Sequence, residues 1–373
     1  INSEFMLFKD PSKMMDAIEK EKPDVVGLSF YVWNTNLNER VFNFAKKNNP
    51  NVLTIGGGPN FTNINANEKG AKKFFSSNKN CDAYVVNQGE KGFFELIKIF
   101  NDLNLDVKKF HETVVPGSLV NDLKDNNKIN IKNCSNKVHI GENIGTLDNL
   151  NEIPSPYLNG MLDSFFDGPY IPIIETNRSC PYRCTFCAWG IGTQKLMRFD
   201  EERVLKEIEY IYERCNKAST LFIADANFGI LERDAVFAGK IYEGYKKKGF
   251  PYHVGVQWNK TRPDRIIKTA KAFGSVDALG KSIAPIGASM QTIDDNVLTA
   301  IKRKNLTFEQ IDQIQKELKA IGMKDNSFSE LIVGLPNETK KTHIDANRKL
   351  IDFGFEVWNY FLHLLPGTEM DEA

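Results

Sequence analysis

Short apolar runs alternate with stretches of three-to-four-residue apolar spacing along the first hundred positions. The runs at 24–32, 52–55 and 83–86 have strand length and are rich in β-branched and aromatic residues. Stretches at 12–20, 36–47, 67–75 and 90–101 carry the helical spacing, with Ser12 placed to cap the first. Strands alternating with helices predict a parallel sheet covered by helices on both faces. The ends of these strands carry unusual residues. Tyr31, Trp33 and Asn34 close the first, Gly56-Gly57-Gly58-Pro59 follows the second, and Gln88-Gly89-Glu90 follows the third. Ligands of open α/β sheets bind outside these carboxyl ends.

Positions 104–150 are dominated by Asn, Asp and Lys, with β-like pieces at 113–116, 128–132 and 137–140. They predict a hairpin or small sheet leading into a linker. Pro154 and Pro156 bias their predecessors away from helix and mark a boundary. From Tyr170 the alternation resumes, with predicted strands at 171–176, 220–224, 253–258, 283–290, 327–333 and 356–364. The intervening helices are predicted at 200–215, 232–248, 262–273, 294–304 with 307–321, and 338–353. Six repeats of strand and helix predict a partial (β/α)6 TIM-type barrel with its site at the carboxyl ends of the strands. The expected fold class is therefore α/β. A doubly wound, Rossmann-like front domain spans 1–105, a β-rich connector and proline linker 106–168, and the barrel 169–373.

Composition narrows the partners. Among 373 residues, 48 basic side chains balance 48 acidic ones, which leaves no electrostatic footprint for nucleic acid or an anionic membrane. A hydrophobic content of 41% is enough for a sizeable core and excludes a disordered chain. No apolar run approaches the roughly 20 residues that cross a bilayer, and the first ten positions lack a basic-then-apolar leader. A cytoplasmic protein with no nucleic-acid partner and no membrane span is expected.

Six cysteines are too few for a disulfide scaffold in a chain this long, yet three fall within eight residues, in Cys180-Pro-Tyr-Arg-Cys184-Thr-Phe-Cys187. They follow the first predicted barrel strand. Three thiolates this close suit one soft metal centre, whereas zinc asks for a fourth ligand and no Cys or His pair follows at finger spacing. An iron–sulfur cluster on three cysteines leaves one iron with an open coordination position. The alternative is a closed zinc knuckle completed by Cys215, Cys134 or a histidine. Otherwise Cys81, Cys134 and Cys215 are expected to be ordinary.

The motif resembles the CxxxCxxC signature of the radical S-adenosylmethionine (SAM) superfamily, including the aromatic Phe186 before the third cysteine. Similarity continues at 223–229, 287–292, 301–305 and 331–339. The resemblance implies that Cys180, Cys184 and Cys187 hold a 4Fe–4S cluster whose open iron binds the amino and carboxylate groups of SAM. Reduction of the cluster would then cleave the sulfonium to a 5′-deoxyadenosyl radical, with the electron supplied by an external donor such as flavodoxin or ferredoxin. Phe186, Asp225, Asn227, Gln257, Ser289 and Gln291 are the implied SAM contacts, with Asp225 or Asn227 near the amino group and Ser289 and Gln291 near the ribose or carboxylate. On the residues alone, Asp225 and Asn227 would also serve as caps of the following helix. Gln257, Asn259 and Lys260 either bind carboxylate or are loop polars.

Front domain, proline linker and barrel together resemble the cobalamin-binding class of the same superfamily, over nearly the whole chain. Gly56-Gly57-Gly58-Pro59 and Gly89-Glu90 look like the class's two front-domain turn motifs, and 147–154 looks like its linker. The implied cobalamin contacts are Tyr31, Trp33, Asn34, Gly57, Gly58, Pro59, Gly89 and Glu90. Small residues admit the backbone to a flat corrin, and the helix start after Gly89 offers donors to a nucleotide tail. Taken by themselves, the glycines also read as ordinary tight turns and the aromatics as packing. There is no Asp-x-His-x-x-Gly motif, so no protein histidine is expected on cobalt. A front domain that binds no cobalamin stays open.

The resemblance implies methyl transfer to an unactivated carbon of a small metabolite or natural product. One SAM would methylate cob(I)alamin, a second would give the radical that abstracts substrate hydrogen, and methylcobalamin would deliver the methyl group. The alternative is a cyclase, ring-contracting or rearrangement enzyme with the same cofactors. A non-catalytic iron–sulfur or zinc-binding interaction protein is the reading from another class. Trp189, Phe228, Trp258 and Trp358 would line an enclosed, partly apolar pocket or serve as core. Both ends look cut, and a longer enzyme is expected.

Overall fold

The computed structural model describes residues 4–61, 67–122, 137–144, 147–189, 195–274, 281–323, 327–365 and 367–373. Its contacts divide the chain into two units, Ile1–Asp148 with Leu365–Ala373, and Asn149–Leu364.

In the first unit, α1 (Pro11–Glu21) precedes β1 (Val25–Ser29), followed by α2 (Thr35–Asn48), β2 (Leu53–Gly57), α3 (Glu68–Ser77), β3 (Ala83–Val85) and α4 (Gly89–Asp102). The three strands lie parallel and in that order. Their side chains alternate between two core layers, as the strand period of two requires. Val26 and Tyr84 pack with Phe42 and Phe74 from α2 and α3. Leu53, Ile55, Ala83 and Val85 face Leu96 and Phe100 of α4. Helices thus cover both faces, as expected.

Two details differ from the sequence reading. The cap of α1 is Asp10, whose carboxylate accepts from the Ser12 N–H at 2.8 Å. Pro11 takes the first helical turn, where its missing N–H costs nothing. The expected strand at 113–116 is irregular chain after α5 (Val107–Phe110). Beyond the turn at Gly117 (φ +70°), β4 (Ser118–Asp122) and β5 (Lys137–Ile140) extend the sheet antiparallel from β3. All five residues of β4 are buried, including Ser118, Asn121 and Asp122, so no apolar alternation marked it. The expected piece at 128–132 lies outside the described residues.

A polar cluster closes the amino end of this sheet. Asp82, fully buried, accepts from Lys46 Nζ at 2.7 Å and from the N–H and hydroxyl of Thr54 at 2.9 and 2.8 Å, with His111 Nε2 3.3 Å away. Burial raises its carboxyl, but His111 and Lys46 outweigh burial and hold it below the ordinary value.

In the second unit, β6 (Ile173–Ile174) is followed by β7 (Asn177–Arg178) and β8 (Met197–Arg198), an antiparallel pair that brackets the cysteine loop. Next come α6 (Glu201–Arg214), β9 (Thr220–Phe228), α7 (Asp234–Lys248), β10 (His253–Trp258) and α8 (Pro263–Phe273). The chain continues through α9 (Asp295–Ala300), α10 (Phe308–Lys319), β11 (Phe328–Val333), α11 (Lys340–Asp352) and β12 (Glu356–Phe361). Strands β6, β9 and β10 are parallel neighbours, as are β11 and β12.

Residues 283–291 bridge these two groups. The Val254 N–H donates to the Ile283 carbonyl at 2.8 Å, and Gly287 and Gln291 bridge to Phe328 and Leu331. Six successive elements therefore stand side by side, the partial barrel expected. The fourth is not the continuous strand expected at 283–290, because Pro285 has no N–H to give a ladder. The helix expected at 294–304 ends at Ala300, and Lys302 adopts a positive φ of 52° that turns the chain there. Among the described residues, no helix is long and apolar enough to cross a membrane.

Candidate active site

The cysteine loop hangs from the end of β6. Ser179 takes φ +82°, the Cys187 N–H donates to the Cys184 carbonyl at 3.0 Å, and the Thr185 N–H donates to the Ile301 carbonyl at 3.1 Å. Cys180 is buried, Cys184 and Cys187 are half-buried, and all three line one cavity of about 250 Å³. Two cations, Lys260 after β10 and Arg303 after α9, line the same cavity. Asn227 Nδ2 lies 3.1 Å from Cys180 Sγ, and Arg303 Nη1 lies 3.8 Å from Cys184 Sγ. Burial pushes the Cys187 thiol up; a coordinated metal takes the proton's place and removes that penalty. Burial pulls the Lys260 ammonium down, helped by Arg303 and opposed by the cysteines.

This donor set fits an iron–sulfur cluster better than zinc. Among the described residues, no group of three or more His, Cys, Asp or Glu is gathered closely enough to hold a single metal ion. Cys215 caps the end of α6 and does not line the cavity, while Cys134 lies outside the described residues. Three thiols lining one cavity with the buried Arg303 and the half-buried Lys260 suit an anionic, multi-iron body.

Of the residues expected around SAM, Phe186, Asp225, Gln257, Ser289 and Gln291 line this cavity. Both oxygens of Asp225 are already engaged. Oδ1 accepts from the N–H groups of Thr176 at 2.8 Å and Asn177 at 3.2 Å, and Oδ2 accepts from the Thr176 hydroxyl and from Asn177 Nδ2 at 2.6 Å. Burial nonetheless pushes its carboxyl up to about 7, against these hydrogen bonds. Asn227, 1% exposed, stands behind Cys180. Neither residue caps a helix. The α7 helix starts at Asp234, whose Oδ2 accepts from the Gly229 and Leu231 N–H groups at 2.8 and 2.9 Å.

Ser289 donates to Glu330 Oε2 at 2.6 Å, and Gln291, at φ +64°, donates its N–H to the Glu330 carbonyl at 2.7 Å. Asn259 is a loop polar, with its amide on the Gly229 carbonyl at 2.6 Å and its oxygen accepting from the Thr261 and Arg262 N–H groups. Sequence reasoning missed Glu330 and left Arg303 without a role, because no local pattern tells a lumen-facing charge from a solvated one. Among the four large aromatics, Phe228 and Trp258 pack as core with Phe273, whereas Trp189 lines the cavity and Trp358 stacks on Phe328.

The expected cobalamin residues gather at the carboxyl ends of β1, β2 and β3 in the first unit. Tyr31 and Trp33 stack with ring centroids 4.6 Å apart, and Trp33 is 77% exposed, so these rings are not core. Asn34 pins their turn by accepting from the Tyr31 N–H at 2.8 Å and donating to the Ser29 carbonyl at 2.9 Å. Gly58 holds φ +121°, and a Cβ there would sit 2.8 Å from the Phe30 carbonyl oxygen. Gly57 and Pro59 flank it in the same turn. Gly89 opens α4 with open space above it and Glu90 in the first helical turn. In this unit His111 sits beside Asp82 at the opposite edge of the sheet, and His139 lies on β5 next to Asp122. A turn that requires glycine at 58 and an exposed aromatic pair, both at carboxyl ends of the strands, are compatible with a flat corrin.

Residues 174–350 match the radical SAM superfamily and residues 6–96 match the B12 binding domain. The chain belongs to the radical SAM superfamily, in the class that carries a B12 binding domain. The radical SAM domain implies a 4Fe–4S cluster and SAM, and the B12 binding domain implies cobalamin.

Two relatives are methyltransferases. The cobalamin-dependent radical SAM methyltransferase TokK of Streptomyces tokunonensis is 32% identical over 96% of this chain and 49% of its own length. The 2-(S-pantetheinyl)-carbapenam-3-carboxylate methyltransferase of Streptantibioticus cattleyicolor is 31% identical over 98% of this chain and 51% of its own. The chain thus spans about half the length of these relatives. The fold is that of TsrM from Kitasatospora setae, solved with tryptophan and a SAM analogue, with TM-score 0.64 and 15% identity over 97% of this chain and 67% of that one.

Proposed function

We propose that this chain is the cofactor-carrying core of a cobalamin-dependent radical SAM methyltransferase that methylates an unactivated carbon of a small molecule. One observation carries the reading: a single cavity joins the three cysteines, the buried Arg303, the half-buried Lys260 and the polar strand ends, in a chain whose other unit carries a tight glycine turn and an exposed aromatic pair at its strand ends. Bound there, the cluster and SAM would supply a carbon radical and cobalamin a transferable methyl group.

The chain's own residues divide the remaining work. Cys180, Cys184 and Cys187 hold three irons. Lys260, which lines the cavity beside the Tyr182 ring, would bind the SAM carboxylate, with Gln257 at the end of β10 just before it. Ser289 and Gln291 are placed for the ribose, and Phe186 covers one side of the cavity. Asp225 acts at one remove by fixing Thr176 and Asn177 at the entry to the cysteine loop. Tyr31 and Trp33 form the lower wall for the corrin, Gly57, Gly58 and Pro59 its floor, and Gly89 and Glu90 the start of the tail site. A low-potential flavodoxin or ferredoxin is the proposed electron donor.

Anaerobic reconstitution with iron, sulfide and cobalamin, followed by SAM and reductant, tests the reading. About four irons per chain, a cobalamin spectrum and a product heavier by one methylene support it. 2-(S-pantetheinyl)-carbapenam-3-carboxylate, the substrate in the second relative's name, is the first acceptor to try. Failure to retain cobalamin would overturn the methyl-transfer step, and a product of unchanged mass would turn the reading to rearrangement.

A further inference from the structure

Arg303 is 6% exposed, yet among the described residues it forms no ion pair with a carboxylate. Its guanidinium is clamped instead: Nε on Asn305 Oδ1 at 2.9 Å, Nη2 on the Ser289 carbonyl, and Nη1 towards Cys184 Sγ at 3.8 Å. Asn305 is itself tied down, its amide donating to the Met290 and Thr292 carbonyls at 2.8 and 2.9 Å. The Glu330 carboxylate in the same cavity attracts Arg303 only from beyond ion-pair distance, and a buried cation is costly unless more negative charge stands near it. A cluster on the three thiolates would supply that further negative charge. On the other side, Asn227 is 1% exposed, donates to Cys180 Sγ at 3.1 Å, and has its Oδ1 unpartnered among the described residues. Among the described residues that side chain has one hydrogen-bond partner, the Cys180 sulfur.

We propose that Asn227 and Arg303 are positioning residues for the cluster, donating to the Cys180 and Cys184 sulfurs and raising the potential at which the cluster accepts its electron. This rests on the cluster assignment made above. The physical ground is that reduction adds one negative charge to the cluster, taken from the external donor with no bond made or broken. Donors aimed at the sulfurs stabilise that more electron-rich state more than the oxidised one. Arg303 is clamped by Asn305 and the Ser289 carbonyl and Asn227 is buried against Cys180, so little reorganisation is needed when the electron arrives. The two arise from different elements, β9 and the turn after α9, and reach different cysteines.

The test is a potentiometric titration of the reconstituted protein, followed by the EPR signal of the reduced cluster, on the unsubstituted chain, Asn227→Leu and Arg303→Met. At one fixed potential near the midpoint, each substitution is expected to lower the ratio of reduced to oxidised cluster about tenfold, which for a one-electron couple is about 59 mV. Arg303→Lys keeps the charge without the clamped fork and should fall between. If the unsubstituted chain takes up no iron, the cluster assignment itself fails. If it takes up iron and both variants titrate with it, the present proposal is overturned. Should either variant lose iron uptake, pulsed EPR on unsubstituted protein with isotopically labelled Asn and Arg side-chain nitrogens decides. Nitrogen couplings to the reduced cluster support the assignment, and their absence overturns it.

Discussion

Asp225 on β9 holds Thr176 at the end of β6, accepting the Thr176 N–H at 2.8 Å and its hydroxyl as well, across 49 positions of sequence. The same carboxylate takes two donors from Asn177, three residues before the first cysteine. It therefore acts as a splint for the cluster loop rather than as a free ligand. Asp225→Ala leaves these buried donors without an acceptor, at about 1–3 kcal/mol for each group left unsatisfied. The expected outcome is iron uptake well below that of the unsubstituted chain, read by iron assay after reconstitution.

The same residue makes a pH prediction for the apoprotein. Its folded value of about 7 stands above the ordinary 3.8, so the folded chain holds the proton more tightly than the unfolded one. Its contribution to stability is greatest at low pH and declines as pH rises from about 4 through about 7. Urea unfolding across that window should show the slope, and Asp225→Ala should flatten it.

Asp82 runs the other way. Its folded value lies below 3.8, so its stabilisation is present above the unfolded value and is lost as pH falls through the folded one, below about pH 4. At neutral pH, Asp82→Ala strands Lys46 and should cost about 3–5 kcal/mol in urea unfolding.

Lys260→Met tests the SAM carboxylate. A charge-assisted hydrogen bond is worth about 1.5–3 kcal/mol, so SAM affinity should drop about tenfold to a hundredfold with iron content unchanged. Equilibrium dialysis of the reconstituted protein reads it, and unchanged affinity would remove Lys260 from the site.

Trp33→Ala and Gly58→Ala separate a cofactor edge from ordinary packing. Trp33 is 77% exposed, so its loss should change stability by no more than about 0.5 kcal/mol while cobalamin retention on gel filtration falls. Gly58→Ala forces a side chain into φ +121° and against the Phe30 carbonyl. It should cost about 1–3 kcal/mol of stability as well as cobalamin.

Much of the front sheet was legible because its signals are local. The helical spacing at 90–101 became α4 and the run at 83–86 became β3. β4 was not legible, since Asn121 and Asp122 are buried polar residues whose partners lie across the sheet. The barrel's fourth strand was over-read at 283–290, where the apolar run was visible but the missing N–H of Pro285 had greater weight.

The amino-acid order by itself determined the cluster motif, the two kinds of unit and the cofactor pair they imply, because cysteine spacing and strand–helix alternation act over a few residues. Only the tertiary structure decided which polar groups serve those cofactors. Asp225 reads in sequence like a cap or a ligand until Thr176 and Asn177 are brought against it. Arg303 has no role of its own in the sequence until the fold carries it across 119 positions to Cys184 and buries it without an ion pair to a carboxylate among the described residues. Charge and burial are properties of the assembled neighbourhood, and that neighbourhood is made by long-range pairing.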